Sequence, residues 1–350
     1  MPSARKSRAL VAATVAGLVA AGVAAEKVAA RRIRNRRVPE LDPLLRMPDD
    51  VVHRTVDVRD GGTAHLVERG EGRLLVLLHG VTLSAGIWAP QFHELAGSPD
   101  QAGFRVVACD LRGHGESTPG SDGYGLPILA RDLADVLEAL DARDAIVAGH
   151  SMGGMTLMRF CGDHADVLHE RVGGLAFVAT AAAAPMPAFL LERLKTLGAS
   201  LTERLDGGRP VPAYRWSGND ISLFMVRRAF GRNPSAAALE QVRASLEAMD
   251  PEATQRSVIG IFDHDVREDL ANIDVPSVVV NGDRDNLTPL AGAKEIARRV
   301  PGCEMHVLDG CGHQVMQERP HELARILRDL DRRTRRAEEA AAAGEPAPAG

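Results

Sequence analysis

The chain has 350 residues, a length that suits one large α/β domain with an insertion, and 45% of the residues are hydrophobic. This apolar fraction excludes a globally disordered chain, and the net charge of −5 disfavours a general nucleic-acid-binding protein, which needs an excess of basic surface. The four cysteines, Cys109, Cys161, Cys303 and Cys311, form no CxxC pair, so we expect free thiols and no metal site.

The N-terminal 38 residues differ in composition from the rest of the chain. Residues 9–25 carry no charge and are apolar apart from Thr14, and basic residues lie on both sides of them. Such a segment, about 17 residues long, is at the lower limit for a membrane-spanning helix, so an uncleaved membrane anchor is the first interpretation. A secretory signal peptide cleaved near residues 23–25 is the second. The third is an alanine-rich helix that packs on the protein, which is compatible with a cytoplasmic location.

Residues 50–330 alternate between strand and helix patterns. Residues 51–58 and 63–68 are predicted to be antiparallel strands around a glycine turn. The apolar runs that follow are typical of strands buried on both faces of a sheet. Helical patterns separate most of these runs, and this alternation predicts a mostly parallel α/β sheet with helices on both faces. The buried strands are predicted at residues 74–78, 104–109, 145–148, 175–179, 277–280 and 305–308, and the helices include residues 128–140, 151–164 and 290–299.

Two further segments interrupt or follow this alternation. Roughly 90 residues separate the strands at 175–179 and 277–280, which is too long for a loop without structure. Their helical patterns predict a helical cap inserted at about residues 181–270. Residues 332–350 are charged and then rich in Ala, Pro and Gly, so we predict a disordered tail there.

A Gly-x-Ser-x-Gly pattern directly follows the predicted strand at residues 145–148 and begins a predicted helix. It reads Gly149-His150-Ser151-Met152-Gly153. A serine on such a tight strand-to-helix turn projects its hydroxyl above the sheet, and glycines tolerate the crowded backbone around it. The helix N-terminus adds N–H groups and a positive dipole beside a developing oxyanion. We therefore predict that Ser151 is a catalytic nucleophile.

Two later strand ends supply the base and the orienting acid that a serine nucleophile needs. Asp283 and Asp285 follow the predicted strand at 277–280, and His313 follows the last predicted strand after a glycine-rich turn. Catalytic groups gather at the carboxyl ends of strands in open α/β sheets. The chain order serine, acid, histidine is also the order expected for a serine on this kind of turn. The pattern alone leaves the choice between Asp283 and Asp285 open.

Five motifs in this order resemble the α/β-hydrolase superfamily over residues 50–330, most closely the haloperoxidase-like esterases and their lipase relatives. The motifs are Leu77-Leu78-His79-Gly80, Asp110-Leu111-Arg112-Gly113-His114-Gly115-Glu116-Ser117, Gly149-His150-Ser151-Met152-Gly153-Gly154, Gly282-Asp283-Arg284-Asp285 and Gly312-His313. The resemblance implies that Asp285 is the acid and that no cofactor is used. It implies an oxyanion hole formed by the backbone N–H groups of Val81 and Met152, and a turn-shaping role for residues 110–117.

The resemblance further implies hydrolysis of a small-molecule carboxylic ester through an acyl-enzyme, with His313 as the base. Apolar residues at 185–191 and 223–226 are candidates for the substrate wall, although packing within the cap is the favoured explanation for them. Tyr214 and Trp216 either line the pocket or pack within the cap. With the apolar N-terminus, they favour lipophilic acyl groups. C–C bond hydrolysis and cofactor-free haloperoxidase or perhydrolase chemistry are alternatives that use the same triad. A non-catalytic ligand-binding module is a more remote alternative.

Overall fold

The computed structural model describes residues 27–28, 30–98, 103–184, 193, 196 and 220–343. Three predicted segments lie wholly or mostly outside these residues: the apolar segment at 9–25, the cap residues at 185–219 and the end of the tail at 344–350. None of the helices in the described part of the chain is both long enough and apolar enough to cross a membrane.

Within the described residues, eight strands form one sheet in the order β1-β2-β4-β3-β5-β6-β7-β8. The strands are β1 (Val52–Asp57), β2 (Thr63–Arg69), β3 (Arg73–Leu78), β4 (Phe104–Cys109), β5 (Ala145–His150), β6 (Val172–Val178), β7 (Ser277–Gly282) and β8 (Glu304–Leu308). The β1–β2 and β2–β4 pairs are antiparallel, and the other pairs are parallel. The predicted mostly parallel sheet is confirmed, and the parallel strands bring their carboxyl ends to one edge.

Helices cover both faces of this sheet. The helices of the described residues include α1 (Ala89–Leu95), α2 (Leu126–Ala139), α3 (Met152–Asp163), α4 (Ala165–Arg171), α5 (Asp220–Arg227), α6 (Ala236–Ala248), α7 (Pro251–Phe262), α8 (Leu290–Arg299), α9 (Val315–Glu318) and α10 (Pro320–Ala343). Successive side chains of a strand point to opposite faces. Accordingly, Val76 and Leu78 of β3 pack in one core with α2, α3 and α8, whereas Leu75 and Leu77 pack in a second core with α1 and α10.

Helices α5, α6 and α7 lie in the interval predicted as a cap. The side chain of Ser235 accepts the N–H of Ala238 at 3.0 Å and so caps the first turn of α6. Asp250 caps α7 in the same way, through the N–H of Ala253 at 2.8 Å, and Pro251 occupies the first helical position, where its missing N–H costs nothing. Local sequence signals therefore set where α6 and α7 begin.

The predicted disorder of residues 332–343 is wrong, because α10 continues to Ala343. Thr334 is 1% exposed, and its Oγ1 accepts a hydrogen bond from Arg73 at 2.7 Å. Arg335 pairs with Asp331 one turn earlier in the helix. The charge-rich composition belongs to the exposed face of an amphipathic helix whose other face packs on the sheet.

Candidate active site

Ser151 lies at the turn between β5 and α3. Its backbone has φ +52° and ψ −117°, a combination that residues other than glycine rarely adopt. The Ser151 N–H donates to the carbonyl oxygen of Val178 at 3.0 Å, and the Thr180 hydroxyl donates to the Ser151 carbonyl oxygen at 2.7 Å. Hydrogen bonds on both sides of the residue therefore hold it in this strained conformation.

The two glycines of the Gly-x-Ser-x-Gly pattern allow the backbone to pack closely around Ser151. A Cβ atom on Gly149 would lie 2.4 Å from the carbonyl oxygen of Gly153. A Cβ atom on Gly153 would lie 2.6 Å from the carbonyl oxygens of both Leu78 and His79. These distances are too short for any side chain, so both glycines are needed for the approach of α3 to β5 and β3.

The side chains of Asp285, after β7, and His313, after β8, are hydrogen-bonded to each other. Nδ1 of His313 lies 2.9 Å from Oδ2 of Asp285. Oδ2 also accepts the Thr288 hydroxyl at 2.7 Å, and Oδ1 accepts the N–H groups of Leu287 and Thr288 at 2.8 and 2.9 Å. A carboxylate accepts only, so Nδ1 carries the proton and Nε2 of His313 keeps a lone pair.

The two candidate aspartates have different environments. Burial raises the pKa of Asp285, but His313 and the Thr288 bonds lower it more, so the pKa lies below its ordinary value and the group is ionised at neutral pH. Oδ1 of Asp283 accepts the N–H of Gly310 at 2.6 Å, which fixes the turn that precedes His313. Of the two aspartates, the structure therefore places Asp285 against the imidazole.

His150 is a buried residue of the pattern to which sequence reasoning gave no role. Its Nε2 lies 2.9 Å from the carbonyl oxygen of His313, and the two imidazole rings are 4.7 Å apart. Burial, followed by the nearby His313, lowers the pKa of His150 well below its ordinary value, so the ring is neutral. It can therefore donate from Nε2 and support the backbone of His313 beside Ser151.

Val81 and Met152, the predicted oxyanion donors, lie on the two segments that flank Ser151. Met152 is the first residue of α3, and the first N–H groups of a helix have no intrahelical acceptor. Val81 follows β3 and lines the same cavity as Ser151. The next residue, Thr82, has a φ of +64°, and its N–H donates to Nε2 of His114 at 3.2 Å. The segment at residues 110–117 thus holds the turn that contains Val81 in place.

Residues 110–117 act as a support for that turn. The Asp110 carboxylate accepts the N–H of Ala85 at 2.6 Å and the N–H of Glu116 at 3.0 Å. Burial lowers the pKa of His114 to about 3, so its ring is neutral and Nε2 can accept the N–H of Thr82. These contacts shape the backbone beside Ser151, as the resemblance implied.

Comparison with known proteins identifies the family. The family model for the alpha/beta hydrolase fold matches residues 73–320. The chain belongs to the α/β-hydrolase family. It is 30% identical over 279 residues to the non-heme chloroperoxidase CPO-A1 of Kitasatospora aureofaciens, covering 78% of this chain and 96% of that protein.

Solved structures share the fold of this α/β hydrolase. An esterase from Exiguobacterium antarcticum aligns with a TM-score of 0.66 at 18% identity, covering 79% of this chain and 98% of the esterase. A bromoperoxidase from Bacillus anthracis aligns with the same TM-score at 19% identity, covering 80% of this chain and 100% of that structure. At these identities the likeness shows the fold.

A cavity of about 270 Å³ opens onto Ser151 and His313 in this hydrolase. Its wall is largely apolar, and much of it comes from the helices in the predicted cap interval. Of the predicted wall residues 223–226, Met225 and Val226 line the cavity. The other predicted wall residues, Tyr214, Trp216 and 185–191, lie outside the described part of the chain. The apolar side chains from α5, α6 and α7 that line it are Met225, Val226, Val242, Leu246 and Ile261.

Glu318 is a buried carboxyl group beside the site that sequence reasoning missed. Its Oε1 accepts the N–H of Gly312 at 2.9 Å, and its Oε2 accepts the N–H of Gly231 at 2.7 Å. It therefore joins the turn before His313 to the segment that follows α5. Burial raises the pKa of Glu318 to about 7, although the two N–H bonds oppose the rise. The four residues of α9 are all buried and show no periodicity that could have revealed this role.

Proposed function

We propose that this α/β hydrolase is a serine esterase that cleaves carboxylic esters with lipophilic acyl groups. In this proposal Ser151 is the nucleophile, His313 the base and Asp285 the orienting acid. The observation that carries it is the Asp285–His313 hydrogen bond of 2.9 Å in a site whose apolar cavity both Ser151 and His313 line. That bond fixes the proton on Nδ1 and leaves Nε2 available as a base toward the cavity.

The reaction proceeds through an acyl-enzyme. Ser151 Oγ attacks the ester carbonyl carbon while His313 Nε2 takes the hydroxyl proton. The N–H groups of Val81 and Met152 donate to the oxyanion, and each such donor typically lowers the barrier by about 3 kcal/mol. His313 then protonates the departing alcohol. Water activated by the same imidazole releases the acid, while the ionised Asp285 stabilises the imidazolium.

The cavity supports a preference for short or medium acyl groups. Its volume of about 270 Å³ lies just below the roughly 300–1,000 Å³ of most small-molecule sites. Met225 and Met155 provide flexible thioether side chains that adapt to an acyl chain, and Val242 and Leu246 add branched apolar surface. An apolar acyl group is better accommodated by this wall than a charged one.

Fluorophosphonate labelling of the full-length chain tests the nucleophile. We expect wild type to be labelled and Ser151→Ala to be unlabelled, with Ser121→Ala, which alters an exposed serine, labelled like wild type. A p-nitrophenyl ester series of increasing acyl length should then show turnover that rises and falls within short to medium chains. A folded wild type that resists labelling, or a labelled Ser151→Ala, would contradict the proposal.

Perhydrolysis is a second candidate, favoured by the 30% identity to a non-heme chloroperoxidase. In this reaction hydrogen peroxide replaces water and attacks the acyl carbon of the Ser151 acyl-enzyme, which yields a peracid and the free serine. The same site serves both reactions, so the two rates must be compared directly. Peracid formation from acetate and peroxide that exceeds ester hydrolysis by the same preparation would favour this candidate over the esterase.

A further inference from the structure

A group of potential metal ligands lies on the β1–β2 hairpin, outside the cavity at Ser151. Thr55 of β1 is directly opposite His65 of β2, so His53 is the diagonal neighbour of His65 on the same face of the sheet. Diagonal neighbours are within reach of long or aromatic side chains. Glu116, from the segment that follows β4, is the third member of the group.

The ligand atoms of the three side chains lie close together. Nδ1 of His53 lies 2.9 Å from Nε2 of His65, and that Nε2 lies 3.8 Å from a carboxylate oxygen of Glu116. All three ligand atoms lie within 4.8 Å of one another. A tetrahedral zinc ion with bonds of about 2.0–2.2 Å places its ligand atoms about 3.3 Å apart. To reach that spacing, the two histidine nitrogens must move apart by a few tenths of an ångström, and the Glu116 side chain must bring its carboxylate oxygen closer to both of them.

Asp110 orients the central ligand of the group. Its Oδ2 lies 2.8 Å from Nδ1 of His65 and also accepts the N–H of Glu116 at 3.0 Å. In the neutral form of His65, Nδ1 therefore carries the proton, and Nε2, the nitrogen next to His53 and Glu116, keeps a lone pair for a metal ion. A carboxylate on the second nitrogen of a histidine ligand is the usual outer partner in zinc sites, where it fixes the tautomer and the orientation of the ring.

We propose that His53, His65 and Glu116 bind Zn²⁺, with water completing a tetrahedral site. Two imidazole nitrogens and one carboxylate oxygen form a donor set that zinc accepts. The Glu116 side chain is 75% exposed and His53 is also exposed, so the ion has direct access from solution. Sequence reasoning looked for metal ligands among the cysteines, whereas this site forms only when the hairpin aligns residues of separate segments.

Zinc at this site would stabilise the fold, because Asp110 connects the site to the segment after β3. A zinc ion would join both strands of the hairpin to the segment at residues 110–117. Asp110 in turn accepts the N–H of Ala85 at 2.6 Å, a few residues after the turn that contains Val81. We therefore expect zinc to raise the melting temperature of the protein without taking part in the reaction at Ser151.

Calorimetric titration of tag-free, chelator-treated full-length protein with Zn²⁺ tests the proposal. We expect saturable binding of one ion per chain, weakened about tenfold or more in His53→Ala and in Glu116→Gln, which alter exposed ligands. His321→Ala is the matched control, because His321 is also exposed and lies 2.9 Å from Glu94. It should bind zinc like wild type.

Substitution with Co²⁺ identifies the ligands independently of affinity. A site of two imidazoles and a carboxylate should give visible d–d bands without an ultraviolet thiolate-to-cobalt charge-transfer band. Three outcomes would overturn the proposal: a wild type without saturable zinc binding, a His53→Ala variant with wild-type affinity, or a thiolate charge-transfer band, which would place the ion on a cysteine.

Discussion

Glu318→Gln should change how the stability of the protein depends on pH. Glu318 is buried beside the turn of His313, and burial raises the pKa of its carboxyl from 4.5 to about 7. At about 1.4 kcal/mol per pKa unit, this rise corresponds to about 3 kcal/mol of folding free energy. Glutamine has nearly the same shape and does not titrate, so the variant lacks this contribution.

The direction of the effect follows from the protons bound in each state. Below pH 4.5 the carboxyl is protonated in both the folded and the unfolded chain, so it does not make the free energy of unfolding depend on pH. Between pH 4.5 and about 7 the folded protein holds the proton more tightly, so the free energy of unfolding falls as the pH rises. Above pH 7 the group is ionised in both states, and its contribution to the free energy of unfolding no longer changes with pH. Wild type should therefore lose about 3 kcal/mol more than Glu318→Gln across this interval.

Urea unfolding at a series of pH values measures the difference. The quantity to compare is the free energy of unfolding of wild type minus that of the variant at each pH, because contributions from other titrating groups cancel. Glu322→Gln, which removes a carboxylate from a partly exposed position of α10, should keep the wild-type slope. If the free energies of unfolding of wild type and Glu318→Gln changed with pH in parallel, the pKa of Glu318 would not be raised in the folded protein, and the prediction would be refuted.

Further variants test the remaining parts of the site and its support. Asp285→Asn should lower kcat on a p-nitrophenyl ester by about 10⁴, because asparagine does not fix the tautomer of the imidazole. Asp283→Asn should lower kcat far less. The reverse order of effects would identify Asp283 as the acid. Thr288→Val removes a donor from the Asp285 carboxylate and should lower kcat roughly fivefold, as expected for a hydrogen bond of about 1 kcal/mol, with KM little changed. Arg112→Met leaves the buried Asp132 carboxylate without its paired cation and leaves Asp60 with only Arg131, so it should cost about 3–5 kcal/mol in urea unfolding. An unchanged midpoint would show that the Arg112 pairs are not needed.

The sheet and its strand ends could be predicted from the sequence because their signals are local. A strand buried on both faces must be apolar at every position, so β3, β5 and β7 are visible as continuous runs. In a parallel sheet the residues that follow such runs meet at one edge, which is why Ser151, His313 and the loop with Asp283 and Asp285 could be predicted to lie together. The choice of Asp285 came from the family resemblance.

Other features depend on contacts between distant segments and leave no local pattern. Glu318 contacts Gly231 and Gly312, and the first of these is 87 residues away in sequence. The imidazole of His150 supports a carbonyl 163 residues further along the chain. The end of α10 was misjudged because composition does not reveal that Thr334 is buried against the sheet.

The segment after α5 is built into the turn that carries the proposed base. The His313 N–H donates to the carbonyl oxygen of Ala229 at 2.8 Å. The Glu318 carboxyl group accepts the N–H of Gly231 as well as an N–H of the turn. A Cβ atom on Gly231 would lie 2.0 Å from the Gly310 carbonyl oxygen, so the two backbones are in direct contact. Helix α5 also contributes Met225 to the cavity wall. A shift of this helix should therefore move the cavity wall and the imidazole together, whereas α6 contributes wall residues without these bonds. Substitutions that alter acyl preference should consequently be better tolerated on α6 than on α5.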